Sequence, residues 1–367
     1  MGVIESQATI NLIFFAGAVF FSILINRLLL KFSKNLGVRT QDDLLRWSAE
    51  SKPSVGGLSF FILFLISLSW VSLLDMEARS LDKEMLFGLF AATTLGFVIG
   101  LADDAYNTRP VLKFLGQLLT ANILITSGIY IEITPDLVIN YAFSVFWVIA
   151  IMNSINMLDN MDGVTASISS AILIGISMLV YFQEGSSDAG LIVLLGVLAA
   201  LIGFLFFNWH PSKMFMGDTG SQFLGAFLSG ISMVYLWQFR ADTGEYFQIK
   251  QFLLPMLAFI IPIIDTTTVF IRRIARGQSP FVGGRDHTTH HLVYLGLRDG
   301  QVTALLLAIS LLSVGLIYFI AQMADDWNYT YSFLVLGYFL LVFIAFQVMY
   351  QIGKRRHEEQ VQEERDE

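Results

Sequence analysis

The chain has 367 residues, 55% hydrophobic and only 14% charged, with 32 Phe, 12 Tyr and 6 Trp, against roughly 25% charged residues in an average soluble domain. That composition excludes an ordinary soluble globule. A net charge of −8 offers no basic footprint for nucleic acid, and the lack of Cys excludes disulfides, thiolate metal sites and thiol nucleophiles.

Apolar runs of about 20 residues, the length that crosses a bilayer as a helix, recur near 8–30, 56–74, 84–101, 111–131, 138–155, 164–183, 189–208, 219–239, 250–272, 300–322 and 331–350. The expectation is an all-α polytopic membrane protein of eleven transmembrane helices: one integral membrane domain over 1–350 and a charged cytoplasmic tail over 351–367, a solvated helix extension or a disordered end. Glu5 precedes the first run without any Lys or Arg, so that run lacks the basic start of a cleavable signal and reads as a permanent span. With the C-terminus inside, only Arg79, Lys83, Arg240 and Lys250 of the 22 basic residues fall outside. The positive-inside bias therefore places the N-terminus outside and the C-terminus in the cytoplasm.

The unusual polar residues gather at helix ends on the expected cytoplasmic face, in five clusters. The first, Arg46 to Gly57, reads RWSAESKPSVGG; Gly56-Gly57 lets backbone approach closely, and Lys52 is placed to meet a phosphate. The second ends the third span with Asp103-Asp104, followed by Asn107, Arg109 and Lys113. Adjacent carboxylates repel each other and are costly to desolvate, so a metal or a cationic side chain is expected beside them. Lys113 and Gln117 share one helical face.

The third cluster leaves the fifth span. Asn153, Asn156, Asp159 and Asp162 recur every three residues, which on a continuous helix makes one slowly rotating stripe of amides and carboxylates. The fourth, Asn208 to Ser221, sets Asp218 among Gly217, Thr219, Gly220 and Ser221. A lone carboxylate of this kind suits Mg²⁺ completed by water and substrate phosphate; a helix cap explains Asp218 equally well. The fifth carries His287, His290 and His291 beside Arg272, Arg273, Arg276 and Arg285. It reads as a polyphosphate clamp, with a Zn²⁺ site that adds Asp286 as the rival. Upstream, Asp265 lies inside the ninth span and should find a hydroxyl or cationic partner. Together these groups describe phosphoryl chemistry between a cytosolic nucleotide and a membrane lipid.

The motifs KPSVGG (Lys52 to Gly57), GLADD (Gly100 to Asp104) with Lys113, NSINMLDNMDG (Asn153 to Gly163), FMGDTGS (Phe215 to Ser221), and RGQSPF with RDHTTHH (Arg276 to His291) give the chain, over nearly its whole length, its resemblance to the polyprenyl-phosphate N-acetylhexosamine-1-phosphate transferases. The resemblance implies transfer of a sugar 1-phosphate from a UDP-sugar to polyprenyl phosphate, with release of UMP and with Mg²⁺ or Mn²⁺. It further implies an inner-membrane enzyme with its active site on the cytoplasmic face and a homodimer as one assembly. Within it, Asp218 is the metal ligand. Asp103, Asp104, Asp159, Asp162, His290 and His291 are catalytic candidates. Lys52, Lys113, Asn153, Asn156, Asn208, Arg285 and His287 are substrate-binding candidates.

The family's eleven-span branch, N-terminus outside, matches the count here, and its muramyl-pentapeptide branch usually has ten. The N-acetylglucosamine branch usually shows His-x-His-His in the last loop. Here Thr288 and Thr289 intervene, which ranks His290 and His291 above His287. GlcNAc is the expected sugar and UDP-MurNAc-pentapeptide the alternative donor. A transporter of anionic solutes would need its polar residues near mid-bilayer, whereas these sit at one face.

Overall fold

The computed structural model describes residues 2–33, 52–74, 81–239, 248–279, 284, 286–323 and 326–366. Arg285 and the stretch of the first motif from Arg46 to Ser51 lie outside them. Thirteen helices are present among the described residues: α1 Gly2–Ser33, α2 Gly56–Leu73, α3 Lys83–Tyr106, α4 Pro110–Thr126, α5 Leu137–Leu158, α6 Val164–Gln183, α7 Ala189–Asn208, α8 Gly217–Tyr235, α9 Lys250–Ala258, α10 Ile260–Ala275, α11 Thr288–Tyr294, α12 Asp299–Gln322 and α13 Tyr329–Asp366.

Every expected span is helical, but the spans are not equivalent. Among the described residues, eight helices are long and apolar enough to cross a membrane, and α9 with α10 makes a ninth if counted as one broken span. The continuous helix expected over 250–272 is replaced by two segments bent by 81°. The cause is Pro262, which has no N–H for the carbonyl of Ala258 four residues back, so the ladder breaks at Phe259. The helix α4 has 17 residues and stops short of 131, where Gly128 turns with φ 84°. The helix α8 is rich in Gly, Ser and Thr rather than evenly apolar, and all of it but Asp218 is buried inside the protein. A helix wrapped by other helices packs through small residues and has no lipid to satisfy. The tail takes the extension reading, with α13 running without a break to Asp366.

Helices α3, α5, α2, α6 and α4 surround α8. Edge-to-face rings tie it to α2 and α2 to α7, with Phe64 5.6 Å from Phe223 and Phe60 5.1 Å from Phe204. Trp147 of α5 donates its indole N–H to Ser232 Oγ at 3.0 Å. Glycines set the closest approaches: a Cβ on Gly57 would strike the backbone of Gly220, and one on Gly100 the carbonyl of Asp218. The segment before α2 lies beside the segment before α8, with Phe215 N–H donating to Pro53 O (2.9 Å), and Gly56 and Gly57 N–H donating to Phe215 O and Met216 O (both 3.0 Å).

The two ends of the bundle are capped differently. Helices α3, α5 and α7 begin at one end with their own Asp82, Asp136 and Asp188 side chains accepting first-turn N–H groups, the usual N-cap arrangement. Helices α2, α4, α6 and α8 begin at the other end, and none has a side-chain cap of its own. Their four positive helix ends share the end that carries the polar clusters. Ala at Gly57 or Gly100 is expected to cost about 1–3 kcal/mol through overpacking. Ala at Gly315, which faces open space, should leave thermal unfolding in detergent unchanged.

Candidate functional site

The helix α3 ends at Asn107, a left-handed C-cap with φ 49°, and Pro110 restarts the chain at the first turn of α4. This tight reversal sets Lys113 opposite Asp103. Lys113 Nζ lies 2.6 Å from Asp103 Oδ2 and 3.7 Å from Asp218 Oδ2, and it donates to Asn156 Oδ1 at 3.4 Å. Thr108 gives Asp103 Oδ1 both its backbone N–H (2.9 Å) and its hydroxyl (2.6 Å). Asn156 donates its amide to Asp218 Oδ1 and to Ser221 Oγ (2.8 Å). Asp103, Lys113, Asn156 and Asp218 therefore meet as one group drawn from α3, α4, α5 and α8.

Asp218 is the more open carboxylate, with 22% of its side chain exposed against 9% for Asp103. Asp103 is saturated by three donors, so Asp218 is the one left to a ligand.

Asp104, next to Asp103 in sequence, has a different task. Its carboxylate accepts from Asp218 N–H (2.9 Å), Thr219 N–H (2.8 Å) and Thr219 Oγ1 (2.6 Å). It caps α8 from α3, and it sits where Gly217, at φ 73°, leaves room that a Cβ would fill. The expected repulsion within the Asp103-Asp104 pair is relieved by separation, since one side chain turns to Lys113 and the other to the start of α8.

The stripe expected from Asn153 to Asp162 does not hold together, because α5 ends at Leu158 and Asp159 is its C-cap. Asn156 remains on the Asp218 side. Asn153, one turn deeper, exchanges hydrogen bonds with Gln117 (Asn153 Nδ2 to Gln117 Oε1 2.8 Å; Gln117 Nε2 to Asn153 Oδ1 3.4 Å), and Gln117 also donates to Gln222 Oε1 at 3.2 Å. This makes Asn153 part of an amide layer with Gln117 and Gln222.

Asp162, beyond the helix, joins a second group. It accepts from Ser212 N–H (2.9 Å) and Ser212 Oγ (2.7 Å) and lies 3.2 Å from His210 Nδ1 and 3.8 Å from Lys52 Nζ. Lys52 also donates to Ser212 Oγ at 3.3 Å and lies 5.5 Å from the centroid of the Phe215 ring. The pairing of 53–57 with 215–216 holds this group beside the first. Asn208 is buried, accepts Gly163 N–H and donates to Met214 O (both 3.0 Å). It braces two loops with both ends of its amide.

The His-bearing segment forms a third group against α10. Asp286 takes two bonds from Arg273, at 2.9 and 2.6 Å. Asp265 accepts from His287 Nδ1 (2.8 Å) and Thr288 N–H (2.7 Å), so the partner expected for this carboxylate is an imidazole together with a backbone N–H. Thr289 donates to Asn160 Oδ1 at 2.8 Å, fastening α11 to the turn that follows Asn156. His290 and His291 are buried on α11. The His291 ring stands edge-on to Tyr350 of α13 at 4.2 Å, and Tyr350 also stacks on Arg272 and accepts from Arg276 at 2.6 Å. The rival Zn²⁺ reading fails here: Arg273 and Asp265 take Asp286 and His287, and no group of three His, Cys, Asp or Glu able to hold a metal occurs among the described residues.

A protein-only metal cage is thus absent among the described residues, but the Asp218 carboxylate beside the Ser221 hydroxyl is an all-oxygen set. It is of the type Mg²⁺ accepts when phosphates and water complete the shell. Thr108, Ser212 and Gln222 join the site although the sequence does not mark them. These are short hydroxyls and amides with no spacing signature, and only their partners on distant elements mark them.

Residues 86–236 match the family described as glycosyl transferase family 4. The chain is 31% identical over 255 residues, 67% of its own length and 66% of the relative's, to a probable undecaprenyl-phosphate N-acetylglucosaminyl 1-phosphate transferase of Bacillus subtilis. This chain belongs to glycosyl transferase family 4. The chain is also 26% identical, over 79% of its own length and 84% of the relative's, to an undecaprenyl-phosphate alpha-N-acetylglucosaminyl 1-phosphate transferase of Thermotoga maritima. A phospho-N-acetylmuramoyl-pentapeptide-transferase of Staphylococcus saprophyticus is 32% identical, over 50% of this chain and 62% of its own. The family 4 match covers the first group and Asp162 with His210 and Ser212; Lys52 and the His segment lie outside it.

Two outcomes follow from this geometry. Asp104→Ala removes the cross-helix cap and is expected to cost about 0.5–2 kcal/mol, read by thermal unfolding, with loss of turnover because the first turn of α8 carries Asp218. At Asp286, burial pushes the carboxyl up, and the Arg273 hydrogen bond and charge override it and hold the group below the usual carboxylate range. A carboxyl held low in the folded state stabilises above its unfolded pKa of about 3.9, and that contribution is lost as pH falls below it. Asp286→Asn should therefore flatten the acid limb of thermal stability measured in detergent.

Proposed function

We propose that this chain transfers N-acetylglucosamine 1-phosphate from the UDP-sugar to polyprenyl phosphate, giving the lipid diphosphate-sugar and UMP. The observation that carries the reading is the Asp103, Lys113, Asn156 and Asp218 group, which lies inside the matched region of the family. N-acetylglucosamine is favoured because the relatives named for it align over larger shares of their length than the muramoyl-pentapeptide relative does.

The reaction forms a bond from a lipid-phosphate oxygen to the β-phosphorus of the donor and breaks the bond from that phosphorus to the oxygen bridging to UMP. A phosphate monoester has a second pKa near 6, so the attacking oxygen is largely ionised without help. The protein's work is then to bring two anions together and to neutralise their charge. Lys113, held between Asp103 and Asp218, supplies one fixed positive charge, and Lys52 beside Asp162 supplies a second. The starts of α2, α4 and α6 add positive dipole ends at the same end of the bundle. Asp218 would hold Mg²⁺, which supplies further charge neutralisation on the diphosphate. Asp103 sets the position of Lys113, Asp104 that of Asp218 and Asp162 that of Lys52, and Asp159 at the end of α5 lines the approach. His290 and His291 bring the α11 side of the site to the sugar and its phosphates.

In this reading the site opens to the cytoplasm of a cell whose inner membrane holds the protein, with the N-terminus outside and the C-terminus inside. Purified protein given labelled UDP-N-acetylglucosamine, polyprenyl phosphate and Mg²⁺ should yield UMP and a butanol-soluble labelled lipid. Label transferred only from UDP-MurNAc-pentapeptide would move the chain to the muramoyl donor, and no labelled lipid from any UDP-sugar would reject the function. Asp218→Asn is expected to insert and fold normally and to lose about 100-fold or more in kcat, the scale of one lost electrostatic group at a reacting centre.

A further inference from the structure

We propose that Gln117 and Gln222 are positioning residues for the transfer: together with Asn153 they lock α4, α5 and α8 in one register and so hold Lys113 between Asp103 and Asp218. This deepens the function proposed above and rests on it for the reaction whose rate is read.

Each residue of the amide layer stands one helical turn from a member of the Asp218 group. Gln117 follows Lys113 on α4, Gln222 follows Asp218 on α8, and Asn153 precedes Asn156 on α5, which runs the opposite way. The hydrogen bonds form a chain with a fixed direction. Asn153 Nδ2 donates to the carbonyl of Ile149 in its own helix (2.8 Å) and to Gln117 Oε1 (2.8 Å). With its oxygen engaged there, Gln117 turns Nε2 toward Asn153 Oδ1 (3.4 Å) and Gln222 Oε1 (3.2 Å). Gln222 takes part through its oxygen, and its Nε2 has no partner among the described residues.

Gln117 and Gln222 are 1% and 0% exposed, and a buried amino group without an acceptor is destabilising. Apolar side chains would fill the same space without that cost. What they would not supply is direction, because apolar contact is non-directional, whereas polar side chains between helices fix register at a cost in stability. Helix α4 has particular need of this. Val111, Leu112, Phe114 and Leu115 on its first turns are exposed, Gln117 is the first buried residue along it, and the Thr120 hydroxyl goes to Gly116 O of the same helix. The ion pairs of Lys113 cannot by themselves aim it, since a bound diphosphate competes for the same ammonium, while the buried layer lies beyond the reach of that competition. Sliding α4 by one residue would move Lys113 by about 1.5 Å, and a misplacement of about 1 Å costs on the order of 100-fold in rate.

The test uses the full-length protein in detergent with Gln222→Met, Gln117→Met, Lys113→Met, and Gln117→Met combined with Lys113→Met. Gln222→Met removes one acceptor together with the amino group that lacks a partner, leaves Gln117 bonded to Asn153, and should unfold at nearly the wild-type temperature. Gln222→Met and Gln117→Met are each expected to lower kcat by about 10- to 100-fold. The kcat/KM for UDP-N-acetylglucosamine should fall by the same factor, as for a loss felt only in the transition state. Combined with Lys113→Met, Gln117→Met should lower kcat no further while shifting the unfolding temperature as much as it does alone, because its effect on rate passes through Lys113. A second measurement needs no turnover. Hydrogen exchange of α4 peptides should quicken in Gln117→Met and Gln222→Met, with α7 peptides unchanged.

Wild-type kcat in Gln222→Met or Gln117→Met, the same fold-loss from Gln117→Met with and without Lys113→Met, or unchanged exchange across α4 would each overturn the proposal. If the wild type makes no labelled lipid while α4 exchange still responds, the transferase reading falls, and the amide tie stands without a reaction to position.

Discussion

A helix enclosed by other helices has no water to satisfy the N–H groups of its first turn, and the site is organised around how α8 meets that constraint. Its own N-cap residue, Met216, offers no acceptor. The acceptor comes from α3, where Asp104 takes the N–H groups of Asp218 and Thr219 and the Thr219 hydroxyl. A carboxylate at the positive end of a helix is favourable. Because it arrives from another element, it also locks the end of α3 to the start of α8. Asp103, one residue earlier, is thereby turned toward Lys113, and Asp218, inside the capped turn, toward Asn156.

The same device recurs at α11. His287, its N-cap residue, offers no side-chain cap, and Asp265 of α10 accepts the Thr288 N–H in its place. In both cases a carboxylate from one helix stabilises the start of another and fixes an adjacent chemical group, Asp218 in the first and His287 in the second. Asn208 does comparable work for the start of α6 by accepting from Gly163. The end of the bundle that holds the site is thus stitched by contacts between elements. At the far end, α3, α5 and α7 cap themselves with local Asp residues. Local capping leaves helix starts independent, whereas cross-helix capping couples them, which suits an end where four helices must present side chains in register.

Charge balance follows the same logic. Two carboxylates near one lysine, Asp103 and Asp218 about Lys113, leave net negative charge and one half-open acid, a setting that favours a further cation. Around His287 the balance is reversed, with Arg272 and Arg273 on α10 and Arg276 at its C-cap near Asp265 and Asp286. A diphosphate with a bound divalent ion has a use for both settings, and the bond between Thr289 and Asn160 connects the two.

Much of this was written in the chain itself. Period and length of the apolar runs determine that the protein is a helical membrane bundle, since burying a backbone in lipid admits little else. The motifs around Lys52, Asp103, Asn156 and Asp218 mark which helix ends carry chemistry, and Gly57 announces a close approach that the structure fills with Gly220. Tertiary structure alone decided which neighbours do different work. Asp103 and Asp104 are adjacent yet serve Lys113 and α8 separately, and a three-residue period from Asn153 to Asp162 is cut when α5 stops at Leu158. The same holds for the break at Phe259 and for the pairing of Asp265 with His287 across 22 residues. Such outcomes depend on what arrives from distant segments to satisfy a helix end or a buried charge, and no local pattern of residues encodes the partner.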